Sequence, residues 1–176
     1  AQMPITDALF ASNEPRSANP TGYVALHDKV LFVAETVDFG YELWVTEGTD
    51  STTKLLVDIY TGPTSSFRDR IAPFGESPII LNGYLYFVAR EHDQGRQVFR
   101  TDGTTEGTVR VTKVPTGGAD ELTLVGDTLF FVNRRGAQTE IWKTSGVVDT
   151  EELVQTLDSN NGLQGLGASG GRFEFT

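Results

Sequence analysis

One short stretch recurs along the chain, and its recurrence limits what the chain can fold into. The copies are Gly40–Thr49 (GYELWVTEGT), Gly95–Thr104 (GRQVFRTDGT) and Gln138–Val147 (QTEIWKTSGV). Each has an aromatic residue in the middle of a strand-like segment that runs into a turn centred on glycine. The third copy has lost the acid and the threonine of the turn. Repetition of this kind predicts an array of similar β units.

Each copy belongs to a longer pattern of four short strands separated by turn signals. In the first unit a hairpin that turns at His27–Asp28 precedes the copy, and Thr53–Ile59 follows it. Equivalent hairpins turn at Asn82–Gly83 and Gly126–Asp127, and Asn-Gly is a strong hairpin signal. A fourth hairpin begins at Ser169. No segment keeps a helical period, so helix is predicted to be a minor component.

Four strands every 40 to 50 residues are typical of a β-propeller blade. We therefore predict an all-β fold, a propeller or partial propeller of four-stranded antiparallel blades with three repeats and the start of a fourth. Residues 1–22 form an N-terminal arm in which Ile5–Phe10 could add one strand, and 23–176 form the repeat domain. The predicted blades are 23–60, 78–115, 119–158 and a partial 163–176, with an insertion at 60–77.

Two sets of repeated positions have a structural interpretation. The central aromatics Trp44, Phe99 and Trp142 are expected to fill the space between adjacent blades, because a buried aromatic ring removes a large area from water. The turn glycines supply positive φ at no steric cost, and they are Gly48, Gly103 and Gly146.

Composition excludes several classes of function. The 176 residues are enough for one domain with a core, and the absence of cysteine excludes disulfides, zinc–thiolate sites and thiol nucleophiles. A formal net charge of −10 argues against a nucleic-acid partner. No apolar run of about 18 residues is present, so no transmembrane segment is predicted.

The motif Glu42–Thr49 (ELWVTEGT), followed by Thr53 and by Leu55–Ile59 (LLVDI), resembles the ELWxxDGT repeat of bacterial extracellular and cell-surface proteins. The resemblance covers about residues 23–176; Glu47 stands where Asp is usual, and Gln97–Phe99 departs from Glu-Leu-Trp. It implies a propeller-forming repeat and a secreted, periplasmic or cell-surface location. The start at Ala1–Gln2 would also suit a mature end left by a signal peptidase.

The acidic residue before the turn glycine could have either of two roles. Glu47 and Asp102 could accept backbone N–H bonds across their own turns. The alternative is calcium, because carboxylate oxygens are ligands for hard cations. Each turn offers one dependable carboxylate, whereas a calcium loop needs several, so we expect no cofactor and keep calcium as the weaker alternative.

The insertion at 60–77 is the most distinctive non-repeat feature, and loops added to a regular array often carry a binding surface. Phe67 offers an apolar anchor there, and Arg68 and Arg70 offer charge. For a glycan ligand, Tyr41 and Tyr84 are the candidate rim aromatics, and their exposure would support that reading.

Fewer features of the sequence favour an enzyme than favour a binding module. His27 lies in a hairpin turn, His92 lies between two acids in a loop, and no nucleophile motif accompanies either. A propeller glycosidase would need two carboxylates from different blades in one pocket. The candidate acids are Asp28, Asp120, Glu121 and Asp127. We predict no catalytic residues, and a carbohydrate-active hydrolase is the alternative.

Three repeats and part of a fourth do not by themselves close a ring of about 4–8 blades. The favoured explanation is that these residues belong to a longer chain; two copies could also form one ring, or Ile5–Phe10 could complete the last blade. The sequence thus predicts a non-enzymatic extracytoplasmic module for binding or assembly that docks a protein or glycan partner through blade-edge loops and the insertion at 60–77. A homo-oligomer or a structural subunit of a larger surface assembly remains open.

Overall fold

The computed structural model describes residues 18–68, 72–75, 77–115, 117–158, 166–169 and 172–175, and within them the chain forms fourteen strands. Their bounds are β1 Thr21–Leu26, β2 Lys29–Thr36, β3 Gly40–Thr46, β4 Lys54–Val57, β5 Ile79–Leu81, β6 Tyr84–Glu91, β7 Gly95–Thr101, β8 Val109–Arg110, β9 Ala119–Val125, β10 Thr128–Arg135, β11 Gln138–Thr144, β12 Glu152–Asp158, β13 Leu166–Ser169 and β14 Arg172–Phe175. A single 3₁₀ turn, Asp50–Thr52, is the helical element of this described part.

The strands form three four-stranded antiparallel sheets and one two-stranded sheet, each in simple sequence order. We call them the first sheet (β1–β4), the second sheet (β5–β8), the third sheet (β9–β12) and the fourth sheet (β13–β14). The all-β prediction with four-stranded antiparallel units is confirmed. Closure of these units into a propeller ring stays a prediction. The Ile5–Phe10 strand lies outside the described residues.

Each repeat places two aromatic residues directly opposite one another on adjacent strands. The pairs are Phe32 with Trp44, Phe87 with Phe99, and Phe131 with Trp142. Opposed residues share a face of the sheet, so each pair forms one large apolar surface. The three motif aromatics therefore hold equivalent positions.

Side-chain alternation along the second strand of each sheet explains how the sheets pack in series. Leu85 and Phe87 of β6 belong to a core cluster shared with the first sheet, whereas Tyr86 belongs to one shared with the third sheet. Phe99 accordingly lies in the core between the first and second sheets, and Trp142 packs against the core between the second and third. Trp44 lies on the remaining face of the first sheet, where Phe32 is also buried.

The insertion contributes to this core. Phe67 and Phe74 pack against Phe87, with ring centroids 5.6 and 6.0 Å away, and the Phe67 and Phe74 rings meet edge to face at 5.8 Å. Phe67 is 4% exposed. The Phe67 ring is therefore taken up between the first and second sheets, and a role for Phe67 as an apolar binding anchor stays a prediction.

Candidate functional site

A cleft of about 710 Å³ opens between the insertion and the second sheet. One wall is the insertion backbone, and the other is formed by the end of β6, the start of β7 and the loop before β9. The lining residues are Thr64, Ser65, Ser66, Phe67, Arg68, Arg90, Gly95, Arg96 and Gly117. Three of them are arginines and none is acidic, so the cleft is basic in a chain whose net charge is −10.

At the edge of this cleft three guanidinium groups surround one carboxylate. Asp120 accepts a hydrogen bond from Arg96 at 2.9 Å, and the guanidinium nitrogens of Arg68 and Arg134 lie 3.8 and 3.7 Å from the same oxygen. Arg134 also pairs with Glu121. Two carboxylates thus face three arginines here, and the Arg68 side chain remains 76% exposed. The arrangement has an excess of positive charge and guanidinium donors available for a bidentate acceptor.

A fourth arginine is held in place by stacking. The Arg90 guanidinium lies 5.0 Å from the centre of the Tyr60 ring, a distance at which a cation is attracted by the ring face. The Arg90 amide also donates to the Ser66 carbonyl at 2.8 Å. This bond ties the insertion wall of the cleft to the β6 wall.

A β-bulge shapes the third-sheet side of the cluster. The β9–β10 register skips between Thr123 and Asp120, and Glu121 within the skip has φ of 53°. The matching bulge in the first sheet holds Gly22, with φ of 65°. A non-glycine residue in this conformation costs free energy, and such strain is common where a bulge re-aims side chains at a functional site. Here it sets Asp120 and Glu121 side by side against the arginines.

Glu42 fixes the insertion from below the cleft. Its side chain is fully buried and accepts hydrogen bonds from the Ile59 amide at 3.1 Å, from the Ser66 amide at 3.0 Å and from the Ser66 hydroxyl. Burial raises the pKa of Glu42 to about 7, against the lowering effect of the Ser66 and Ile59 bonds. The residues that form one wall of the cleft are therefore anchored to a titratable group.

The same motif position is polar and buried in every repeat. Gln97 accepts from the Val114 amide at 3.0 Å and donates to the Val114 carbonyl at 3.0 Å, as Glu42 accepts from Ile59. Glu140 instead accepts from Asn133 and Trp142, both at 3.0 Å. Sequence reasoning missed this role. The available signal was a polar residue at the start of each copy, next to residues that are buried.

Threonine hydroxyls close the motif turns in all three repeats. The Gly48, Gly103 and Gly146 amides donate to the hydroxyl two residues earlier at 3.0, 3.0 and 3.1 Å; these hydroxyls belong to Thr46, Thr101 and Thr144. Each hydroxyl also meets a second threonine hydroxyl at 2.7 to 2.9 Å, from Thr53, Thr108 and Thr150. The glycines have φ of 95°, 86° and 80°. Threonine hydroxyls therefore stabilise the turn in each repeat, which gives the motif a structural role.

Of the predicted binding residues, two tyrosines lie apart from the cleft, one arginine lines it and the other arginine lies outside the described residues. Tyr41 is 1% exposed and donates to the Asn19 carbonyl at 2.8 Å, so its prediction as a rim aromatic is wrong. Its ring is needed in the core between the first two sheets. Tyr84 is half-buried beneath the Arg100 guanidinium, 4.5 Å from its ring centre. Arg68 lines the cleft, and Arg70 lies outside the described residues.

The acids considered for calcium are engaged by their own surroundings. Asp102 accepts from the Thr104 amide at 2.9 Å and from its hydroxyl at 2.7 Å, and the hydroxyl bond lowers the pKa of Asp102. Glu47 lies 3.7 Å from the Lys29 ammonium. Among the residues the structure describes, no three His, Asp or Glu side chains cluster to hold a metal ion. A calcium site remains a prediction.

The groups considered for hydrolysis lie at separate places. Asp28 pairs with Lys29 in an exposed turn, and Asp127 lies in another hairpin turn, whereas Asp120 and Glu121 belong to the arginine cluster. His27 meets the Gly83 carbonyl at 3.0 Å, and the exposed His92 meets its neighbour Asp93 at 2.7 Å.

Comparisons with known proteins add little to this geometry. No protein-family model matches the chain, and no curated protein matches it. A solved structure similar to it is an α-L-arabinofuranosidase (CtGH43) from Clostridium thermocellum, with 11% identity and a TM-score of 0.35. The match covers 88% of this chain and 58% of that one. It is too slight to carry an argument about activity. The resemblance to ELWxxDGT repeats stays a prediction.

In the described residues no helix is long and apolar enough to cross a membrane.

Proposed function

We propose that the chain is a non-enzymatic extracytoplasmic binding module that docks an acidic segment of a protein partner in the arginine cleft. The observation that carries the proposal is the set of three guanidinium groups around Asp120, beside a cleft formed by the insertion. A carboxylate-rich segment could replace the water around Arg68 and form bidentate bonds with it.

Charge distribution supports an acidic partner. A net charge of −10 repels acidic molecules from most of the surface, so a local excess of arginine would select both the partner and its orientation. Thr64 and Ser65 add hydroxyl groups to the same wall. A protein partner is favoured over a glycan because a glycan site would be expected to present exposed aromatic faces, and Tyr41 is buried while Arg100 covers Tyr84.

The test is the binding of a fluorescent octaglutamate peptide by the whole chain at low salt, followed by anisotropy. Arg68→Glu is expected to weaken binding by roughly tenfold or more, because it reverses an exposed charge in the cleft. Lys54→Glu makes the same change of charge at an exposed β4 position that does not line the cleft. It is expected to weaken binding less than about twofold.

Equal losses in the two variants would show that only net charge matters and would refute the cleft. Binding of an oligogalacturonate but not of octaglutamate, lost in Arg68→Glu, would assign the cleft to an acidic glycan instead. Turnover of arabinoside or other glycoside substrates by the purified chain would support the hydrolase alternative.

A further inference from the structure

The outermost strand of the third sheet exposes a residue whose equivalents in the first two repeats are covered by the next sheet. Leu56 in β4, Val154 in β12 and Val111 directly after β8 are equivalent, because each is one residue past the partner of the motif aromatic. Leu56 is 3% exposed under the second sheet, and Val111 is fully buried under the third. Val154 is 44% exposed.

The contacts over the first two of these residues come from the next repeat's turn. The Thr105 hydroxyl donates to the Leu56 carbonyl at 3.0 Å, and the Asp149 amide donates to the Val111 carbonyl at 2.9 Å. The register of β3–β4 skips Leu56 and that of β11–β12 skips Val154. A bulge of this kind turns the residue out of the regular ladder. In both interfaces, therefore, the carbonyl at the same repeat position accepts a hydrogen bond from the turn of the next repeat, from a hydroxyl in one case and from a backbone amide in the other.

The described part of the fourth sheet contains two strands, whereas the sheets that form the first two interfaces have four. β13 lies against β9, and β14 pairs with β13. By the repeat spacing, Phe175 stands in β14 where Phe32 stands in β2, and Phe32 pairs with the Trp44 of the following strand. The positions of a third and a fourth strand, next to β14 and above Val154, are not filled by any described residue.

We propose that this position binds a β-hairpin of the same repeat type, with a central aromatic and a Gly-Thr-Thr turn. The hairpin would add its first strand to β14, pack its apolar face over Val154 and place its turn on the Val154 carbonyl. Strand addition of this kind uses main-chain bonds for affinity and side-chain contacts for selection. The inference rests on the repeat interfaces and is independent of the arginine cleft.

The probe is a synthetic peptide of residues 95–114, which contains the hairpin of the second repeat. It is titrated into the whole chain and followed by anisotropy and by hydrogen exchange of residues 152–158 and 172–175. We expect saturable binding with slower exchange in both segments. An isolated hairpin is only marginally stable in water, so the affinity includes the cost of folding the peptide.

Matched variants locate the contact on each side. Val154→Asp in the chain should weaken binding at least about tenfold, because it places a charge against an apolar face, whereas Val37→Asp at a 61% exposed loop position should not. Thr105→Ala in the peptide should weaken it roughly three- to tenfold through the lost hydrogen bond, and Glu106→Ala, its exposed neighbour, should not. Arg68→Glu should leave peptide binding unchanged.

Three outcomes would overturn the proposal. The first is no saturable binding at about 1 mM peptide. The second is an equal effect of Val154→Asp and Val37→Asp on binding. The third is concentration-dependent self-association of the chain that Val154→Asp abolishes and the peptide does not compete with, since the face would then bind a second copy.

Discussion

The Gln97 side chain takes in the second sheet the place that the Glu42 side chain takes in the first. Glu42 accepts a hydrogen bond from the amide of Ile59, and Gln97 accepts one from Val114, which lies the same number of residues further along the chain. Both bonds tie the segment after the outermost strand back to the strand of the motif. The two residues differ in charge, and this difference provides an internal control for the first prediction.

Glu42 should make the stability of the protein depend on pH. Its pKa is about 7 in the folded chain and its ordinary value is 4.5, so unfolding between these pH values releases a proton. The stabilisation by Glu42 is therefore full below pH 4.5 and is lost as pH rises through 7, with a total of about 3 kcal/mol. Denaturant unfolding at pH 5 and pH 8 measures this difference.

Glu42→Gln should remove this part of the pH dependence, because a carboxamide does not titrate and Gln97 shows that the repeat can accommodate one. Glu106→Gln, at an exposed position, is the matched control. Its free energy of unfolding should change between pH 5 and pH 8 by the same amount as that of the parent chain. If Glu42→Gln kept the full pH dependence, Glu42 would not be its source.

Phe67 should contribute to stability as a core residue. Phe67→Ala removes a buried ring that packs against Phe74 and Phe87, so the free energy of unfolding should fall by about 3–5 kcal/mol. Val37→Ala, at a 61% exposed position, should change it by less than about 0.5 kcal/mol. Urea unfolding measures both. A loss below about 1 kcal/mol for Phe67→Ala would place the ring outside the core.

Two equivalent turn glycines should respond differently to alanine. Gly48 and Gly146 both have positive φ, so each alanine variant carries a backbone cost of about 1–2 kcal/mol. A Cβ at Gly48 meets nothing within 4 Å, whereas a Cβ at Gly146 would overlap the Tyr86 phenol of the second sheet. Gly146→Ala should therefore lose at least about 1 kcal/mol more than Gly48→Ala. Thermal unfolding compares them, and equal losses would argue against close packing of this turn on Tyr86.

The arginine cleft could be predicted only in part. Arg68 was identified from the sequence because it lies in an insertion between regular repeats. Arg90 and Arg96 were not, since one ends a strand and the other begins the next, and nothing local distinguishes them from other surface arginines. Asp120 was considered as a catalytic acid, but three arginines from separate parts of the chain surround it.

Burial was the property least accessible from the sequence. Phe67 and Tyr41 lie in a loop and at a strand start, where aromatic residues are often exposed, yet both are buried between the first and second sheets. Whether a ring faces solvent depends on which sheet packs over it, and that is a long-range property. The threonine pairs of the turns were missed for a related reason, because Thr101 and Thr108 come together only when the turn has formed.

The sequence by itself determined the β class, the four-strand unit and the turn positions, because these depend on alternation, turn chemistry and repetition over a few residues. The order of strands within each sheet follows from the short hairpin connections. Only the tertiary structure decided which aromatic residues are buried, which arginines converge on Asp120 and which face of the third sheet is left exposed. These features depend on how separate sheets pack, and packing joins residues that no local pattern connects.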